Sequence, residues 1–85
     1  MLTDRVAVVT GAAQGIGEAT ALALASLGAH IAICDRQADG LAETAAAIES
    51  TGRRVLHDVF DVRDADSVES FMARGAAELG PIDIL

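Results

Sequence analysis

One short stretch limits what this chain can fold into more than any other: Thr10-Gly11-Ala12-Ala13-Gln14-Gly15-Ile16-Gly17. It follows Arg5 and the apolar run Val6-Ala7-Val8-Val9, and it leads into an Ala- and Leu-rich segment that ends at Leu27-Gly28. A short continuous apolar run closed by Thr10-Gly11 predicts a strand buried on both faces, the kind found in parallel sheets. From Ile16 to Leu27 the residues Ile16, Ala19, Ala23 and Leu27 recur near helical spacing, which predicts a helix of about three turns. Gly28 stands where a left-handed C-cap is wanted. A strand that passes into a helix through a turn with glycines at three positions is the start of an α/β fold.

The glycines answer a steric demand. Backbone N–H groups can approach an anion at a helix N-terminus only where no Cβ stands in the way, and there the unpaired donors and the helix dipole favour negative charge. Gly11 suits a tight exit from the strand, Gly15 a close approach of phosphate, and Gly17 tight packing of helix on strand. Context sharpens the pattern: an acid, Asp35, follows about 18 residues after Gly17, at the end of a second apolar run.

That run, Ile31-Ala32-Ile33-Cys34, predicts a second strand, with Arg36-Gln37-Ala38-Asp39-Gly40 as a turn. Leu41, Ala45 and Ile48 then mark one face of a second helix that Gly52 can end. Arg54 to Val62 reads as a third strand, less buried than the others because His57 and Asp58 interrupt its apolar residues. Asp64 or Asp66 opens a third helix with Val68, Phe71, Met72, Ala76 and Leu79 on its apolar face. Asp66 and Glu69 resemble an acidic capping box. Gly80-Pro81 stops the helix, and Ile82-Asp83-Ile84-Leu85 begins a fourth strand. Residues 1–85 are therefore expected to be the N-terminal half of a doubly wound parallel sheet, βαβαβαβ, truncated in the fourth strand. The first and fourth strands should be neighbours at the switch point where ligands bind, with the first two helices on one face and the third on the other. Hydrophobic residues at 52% with aromatics at 2% leave Ala, Val, Ile and Leu to build the core.

Charge and composition exclude other classes. A net charge of -7, with all six basic residues Arg and no basic stripe, argues against nucleic-acid binding. No apolar run approaches the roughly 20 residues needed to span a bilayer, so no membrane partner is expected. The single cysteine, Cys34, can form no internal disulfide and reads as a small core side chain, and no charged-then-apolar leader precedes the first strand. These features fit a reducing, cytoplasmic setting. His30 and His57 have no partner at metal-ligand spacing and are expected at the surface or a sheet edge, so no metal site is assigned. None of Ser26, Ser50, Ser67 and Ser70 falls on a nucleophile-elbow turn.

The spacing Gly-x-x-x-Gly-x-Gly from Gly11 to Gly17, preceded by Thr10 and by Val6-Ala7-Val8-Val9, resembles the short-chain dehydrogenase/reductase signature. Asp61-Val62 with Asp64 is similar to that family's adenine-contacting segment, and Leu79-Gly80-Pro81-Ile82-Asp83-Ile84-Leu85 resembles the lead into its fourth strand. The resemblance covers the whole chain. It implies a Rossmann-type domain, hydride transfer between a nicotinamide dinucleotide and an alcohol or carbonyl substrate, and a homo-oligomeric full-length protein. It places Thr10, Gly11, Gln14, Gly15, Ile16 and Gly17 at the cofactor, with Asp61 accepting the adenine amino group and Val62 touching the ring. An ordinary strand terminus explains Asp61 and Val62 equally well, and Asp64 reads better as a helix cap than as a ligand.

Asp35 argues for NAD: a carboxylate there can accept from both ribose hydroxyls and would repel a 2′-phosphate. Arg36 keeps NADP as a second option and is read as a stacking or solvated side chain. The family's Asn-Asn-Ala-Gly segment, catalytic serine and Tyr-x-x-x-Lys pair cannot be mapped, since the sequence holds no Tyr and no Lys. No catalytic residue is assigned, and the chain is expected to be a fragment of a longer oxidoreductase. The alternatives are a non-catalytic nucleotide-binding remnant or interaction module and, less well matched to the glycine spacing, a flavin or S-adenosylmethionine site.

Overall fold

The apolar runs Val6–Val9 and Ile31–Cys34 become adjacent strands because each can be covered on both faces. In the computed structural model, which describes residues 1–84, β1 is Val6–Thr10, β2 is His30–Asp35 and β3 is Val55–Val59. They form a parallel sheet in the order β1-β2-β3. Ala7 lies opposite Ile31 and Ala32 opposite Leu56, so the register carries all three strands to the same carboxyl edge. The connections are α1 (Gly15–Ser26) and α2 (Ala38–Glu49), and α3 (Ala65–Leu79) follows β3.

Alternation along the strands builds two cores. Ala7, Ile31 and Ile33 pack with Ala21, Ala25, Leu41, Ala45 and Ile48 of α1 and α2. Val6, Val8, Ala32, Cys34 and Leu56 meet Phe71 and Leu79 of α3 on the other face. The first two helices thus share one face and the third takes the other, as expected for a doubly wound sheet. The small residues of β2 leave room for the large ring of Phe71, which lies edge-on to Phe60 with ring centroids 5.4 Å apart. β3 is the least buried strand, as expected.

Several expectations are corrected. The residues of α1 at helical spacing, Ile16, Ala19, Ala23 and Leu27, are its exposed side, with Ile16 86% accessible; Ala21 and Ala25 are its buried contacts. The helix is apolar nearly all round, so periodicity alone could not choose the core stripe. Residues 38–40, expected in a turn, form the first turn of α2. β3 ends at Val59 because the Asp61 side chain accepts from the Arg63 N–H at 2.9 Å and turns the chain. Asp64 caps α3 by accepting from Asp66 N and Ser67 N, so the Asp66–Glu69 box is not used, and Ala76 is exposed.

The fourth strand is a single parallel bridge, Ala7 to Ile84, with Leu85 outside the described residues. Ile84 pairs with β1 through its N–H, donating to the Val6 carbonyl at 3.1 Å, and its carbonyl, accepting from the Val8 N–H at 2.9 Å, while the Asp83 carboxylate takes the Val6 N–H at 3.1 Å. The neighbour of β1 is nonetheless this segment, as the switch-point topology requires. His30, expected at the surface or a sheet edge, is buried at the start of the central strand: its Nδ1 accepts from Arg54 N at 3.0 Å, so its proton sits on Nε2, 3.1 Å from the Asp4 carboxylate. His57 is exposed.

Candidate functional site

The carboxyl edge of the sheet gathers the residues that the sequence singled out. Gly11 and Gly15 take φ of +65° and +62°, a region that L side chains rarely adopt, and a Cβ at either would meet open space. Gly17 has a different reason: a Cβ there would lie 2.0 Å from the Gly11 carbonyl oxygen. It therefore allows helix to close on turn, a tighter contact than the helix-on-strand packing expected. Gln14 is the N-cap of α1, and its side chain makes no capping hydrogen bond. Among the described residues the first N–H groups of α1 thus donate to no N-cap side chain.

Asp35 ends β2 beside this turn. Its Oδ2 accepts from the Ala13 N–H at 2.9 Å and its Oδ1 from the Gln37 N–H at 3.1 Å. Partial burial pushes its carboxyl pKa upward, but the backbone N–H groups of Ala13, Gln37 and Arg36 and the Arg36 charge outweigh this and hold it below the usual carboxylate value. A carboxylate has about four acceptor sites, so both oxygens retain capacity.

A cavity of about 490 Å³ joins Thr10, Gly11, Asp35, Arg36, Phe60, Asp61, Val62 and Arg63. Gln14, Gly15, Ile16 and Gly17 stand outside its lining; Ile16 and Gly17, with Thr10, border a second hollow against Val9 and Ile84. Val62 is half exposed. Asp61 is tightly engaged: Arg63 reaches its Oδ2 from Nη2 at 2.7 Å and from Nε at 3.0 Å, and Arg36 reaches the same oxygen at 3.3 Å. The Arg63 hydrogen bonds hold the Asp61 carboxyl far below the usual range. Sequence reasoning missed Arg63, although an Arg two residues after an Asp at a strand end is a visible signal. It also missed Thr44, a buried hydroxyl donating to the Ala12 carbonyl at 2.9 Å. Cys34 is fully buried; loss of solvent, then the Asp35 and Asp58 charges, push its thiol up to about 11. It is a core side chain, as expected. Among the described residues no group of His, Cys, Asp and Glu could hold a metal ion, and no helix is long and apolar enough to cross a membrane.

The family model for short chain dehydrogenases matches residues 5–85. The chain belongs to the short-chain dehydrogenase family. It is 46% identical over 84 residues to 2,3-dihydro-2,3-dihydroxybenzoate dehydrogenase of Bacillus subtilis, covering 99% of this chain and 32% of that protein. It is 51% identical over 82 residues to cis-4-hydroxycyclohexanecarboxylate dehydrogenase of Sinomonas cyclohexanicum, covering 96% of this chain and 32% of the relative. Among solved structures, a short chain dehydrogenase from Mycobacterium paratuberculosis bound to NAD superposes with a TM-score of 0.94 at 36% identity, over 98% of this chain and 36% of that one. An L-sorbose reductase from Gluconobacter frateurii complexed with NADPH and L-sorbose gives 0.89 at 36% identity, over 98% and 32%. This short-chain dehydrogenase chain spans about a third of the length of these relatives.

Proposed function

We propose that residues 1–85 are the cofactor-binding part of a single dinucleotide domain, in an oxidoreductase that moves hydride between NAD and an alcohol or carbonyl substrate. The observation that carries this is the Asp35 carboxylate beside an α1 N-terminus with no side-chain cap, approached over two left-handed glycines with open space where a Cβ would stand. A dinucleotide fits these residues: a pyrophosphate suits bare N–H donors at a helix start, and an adenosine ribose suits a carboxylate with acceptor capacity to spare.

In this reading Gly15, Ile16 and Gly17 present N–H groups to the pyrophosphate, and Thr10, Gly11 and Gln14 shape the turn around it. Asp35 accepts from the ribose hydroxyls, and its negative charge disfavours a 2′-phosphate, which makes NAD the cofactor ahead of NADP. Asp61 and Val62 border the adenine. Arg36 holds Asp61 by its longest contact, 3.3 Å, and is the group that gives way when Asp61 accepts from the adenine amino group. The bound nicotinamide supplies the hydride chemistry; these residues bind and orient it.

The test is NAD-dependent oxidation of a panel of secondary alcohols by the intact protein, followed by the absorbance of reduced nicotinamide. Turnover with NAD well above that with NADP is expected. Nucleotide binding without turnover on any alcohol or carbonyl would favour the non-catalytic alternative, and absence of binding would refute the cofactor reading.

A further inference from the structure

The middle of the glycine turn is gripped from outside on every side. Ala12 and Ala13 are buried, at 0% and 6% exposure. The Ala12 N–H donates to the Cys34 carbonyl at 3.2 Å, and the Ala13 N–H donates to Asp35 Oδ2 at 2.9 Å. From α2, the Thr44 hydroxyl donates to the Ala12 carbonyl at 2.9 Å, across 32 residues of sequence. Gly40, one helical turn earlier, lies so close that a Cβ on it would stand 2.8 Å from the Ala13 carbonyl oxygen.

Thr44 is 1% exposed, on the same buried stripe as Leu41, Ala45 and Ile48. A hydroxyl in such a place costs stability unless it is bonded. A helical threonine can satisfy itself on the carbonyl four residues back, and Thr44 Oγ1 does lie 3.1 Å from the Gly40 carbonyl. Its single proton is shared with the shorter contact to Ala12, the only one of the two that reaches the turn. Val would fill the same volume and leave the helix intact, but would strand the Ala12 carbonyl in the core.

We propose that Thr44 is a positioning residue for the pyrophosphate turn: its hydroxyl fixes the Ala12–Ala13 peptide and so the direction in which the following N–H groups of Gly15 to Gly17 point. The inference rests on the reading of that turn as the pyrophosphate site. It makes α2 part of the cofactor machinery although no residue of α2 lines the cavity beside Asp35. Preorganised donors bind an anion without first being ordered, so loosening the turn should weaken phosphate binding specifically.

The experiment compares ADP and adenosine binding to the intact protein by calorimetry, in wild type, Thr44→Val and Thr44→Ser. Thr44→Val is expected to weaken ADP about fivefold, the worth of one hydrogen bond, to weaken adenosine, which meets this peptide only through Asp35, by clearly less, and to be rescued by Thr44→Ser. Parallel losses for both ligands, or none, would overturn the proposal. Should Thr44→Val fail to fold, Thr44→Ala, with its better helix propensity, carries the same contrast with the same two meanings. A wild type that binds ADP no better than adenosine would overturn the turn's assignment itself, whereas a wild type that prefers ADP beside parallel losses would overturn only the role of Thr44.

Discussion

The two edges of the sheet both pair their charged side chains but differ in the backbone donors they leave open. At the amino edge the polar groups answer one another: His30 bridges Asp4 and the Arg54 N–H, Arg53 donates to the Gly28 carbonyl, and the Arg54 guanidinium reaches the carbonyls of Glu78 and Leu79 at the end of α3. At the carboxyl edge Asp61 is likewise paired, with Arg63 and Arg36, but α1 and α2 start without a side-chain cap, while α3, starting at the same edge, is closed by Asp64. Paired polar groups hold loops together; unpaired ones at a strand-to-helix turn are where a parallel sheet takes its ligand. On the proposed reading the amino edge serves stability and the carboxyl edge serves binding.

Substitutions at each edge can break that division. The largest effect is expected from Gly17→Ala, whose Cβ would stand 2.0 Å from the Gly11 carbonyl oxygen. Overpacking of this kind costs about 1–3 kcal/mol, and here it must also displace the turn. Denaturant unfolding and NAD titration should show both losses, and wild-type affinity in this variant would contradict the geometry. His30→Leu should lower stability by about 1–3 kcal/mol by leaving the Arg54 N–H without its acceptor, with NAD affinity unchanged in the folded protein. A drop in affinity would mean that the edges are not separate.

Asp35 lies on the binding side of the division but also ties the turn through Ala13. Asp35→Ala should therefore weaken both cofactors, NAD by about tenfold or more, as expected when bonds to a charged acceptor are lost, and NADP by less. Asp35→Asn keeps an acceptor for the Ala13 N–H and removes the like charge, so it should shift preference toward NADP; equal changes for both would remove the ribose assignment. A smaller effect follows from its depressed pKa. Because the folded carboxyl titrates below the usual 3.8, its contribution to stability is complete above that value and is lost as pH falls through the lower folded pKa. Asp35→Asn should flatten the acid limb of the stability curve below pH 3.8, and an unchanged limb would count against the hydrogen bonds drawn here.

How far the sequence could be read depended on how few solutions each segment had. Val6–Val9 and Ile31–Cys34 are apolar without interruption, rich in β-branched residues and closed by Thr10-Gly11 and by Asp35, a combination that suits a doubly covered strand, whereas the equally apolar Ala21–Ala25 lacks β-branching and is helical. The glycine turn was legible because a positive φ and a forbidden Cβ each demand Gly. α1 was harder: Ala and Leu occur around most of its circumference, so two apolar stripes competed and tertiary contact with the sheet chose Ala21 and Ala25 over Ile16 and Ala19. His30 carried no signal of its own, since its burial is set by Asp4 and Arg54 arriving from distant segments. Thr44 did carry one, as a hydroxyl between Leu41 and Ile48 on a buried stripe, but its partner in the turn could be known only from the fold.

The most direct test of the division between the edges is amide chemical-shift mapping of the intact protein during titration with ADP. The binding edge should respond alone, with the largest changes at Gly11, Gly15, Ile16, Gly17, Asp35 and Val62 and with Asp4, His30 and Arg54 still. Changes centred on those last three, or no response in the turn at saturating ADP, would contradict it.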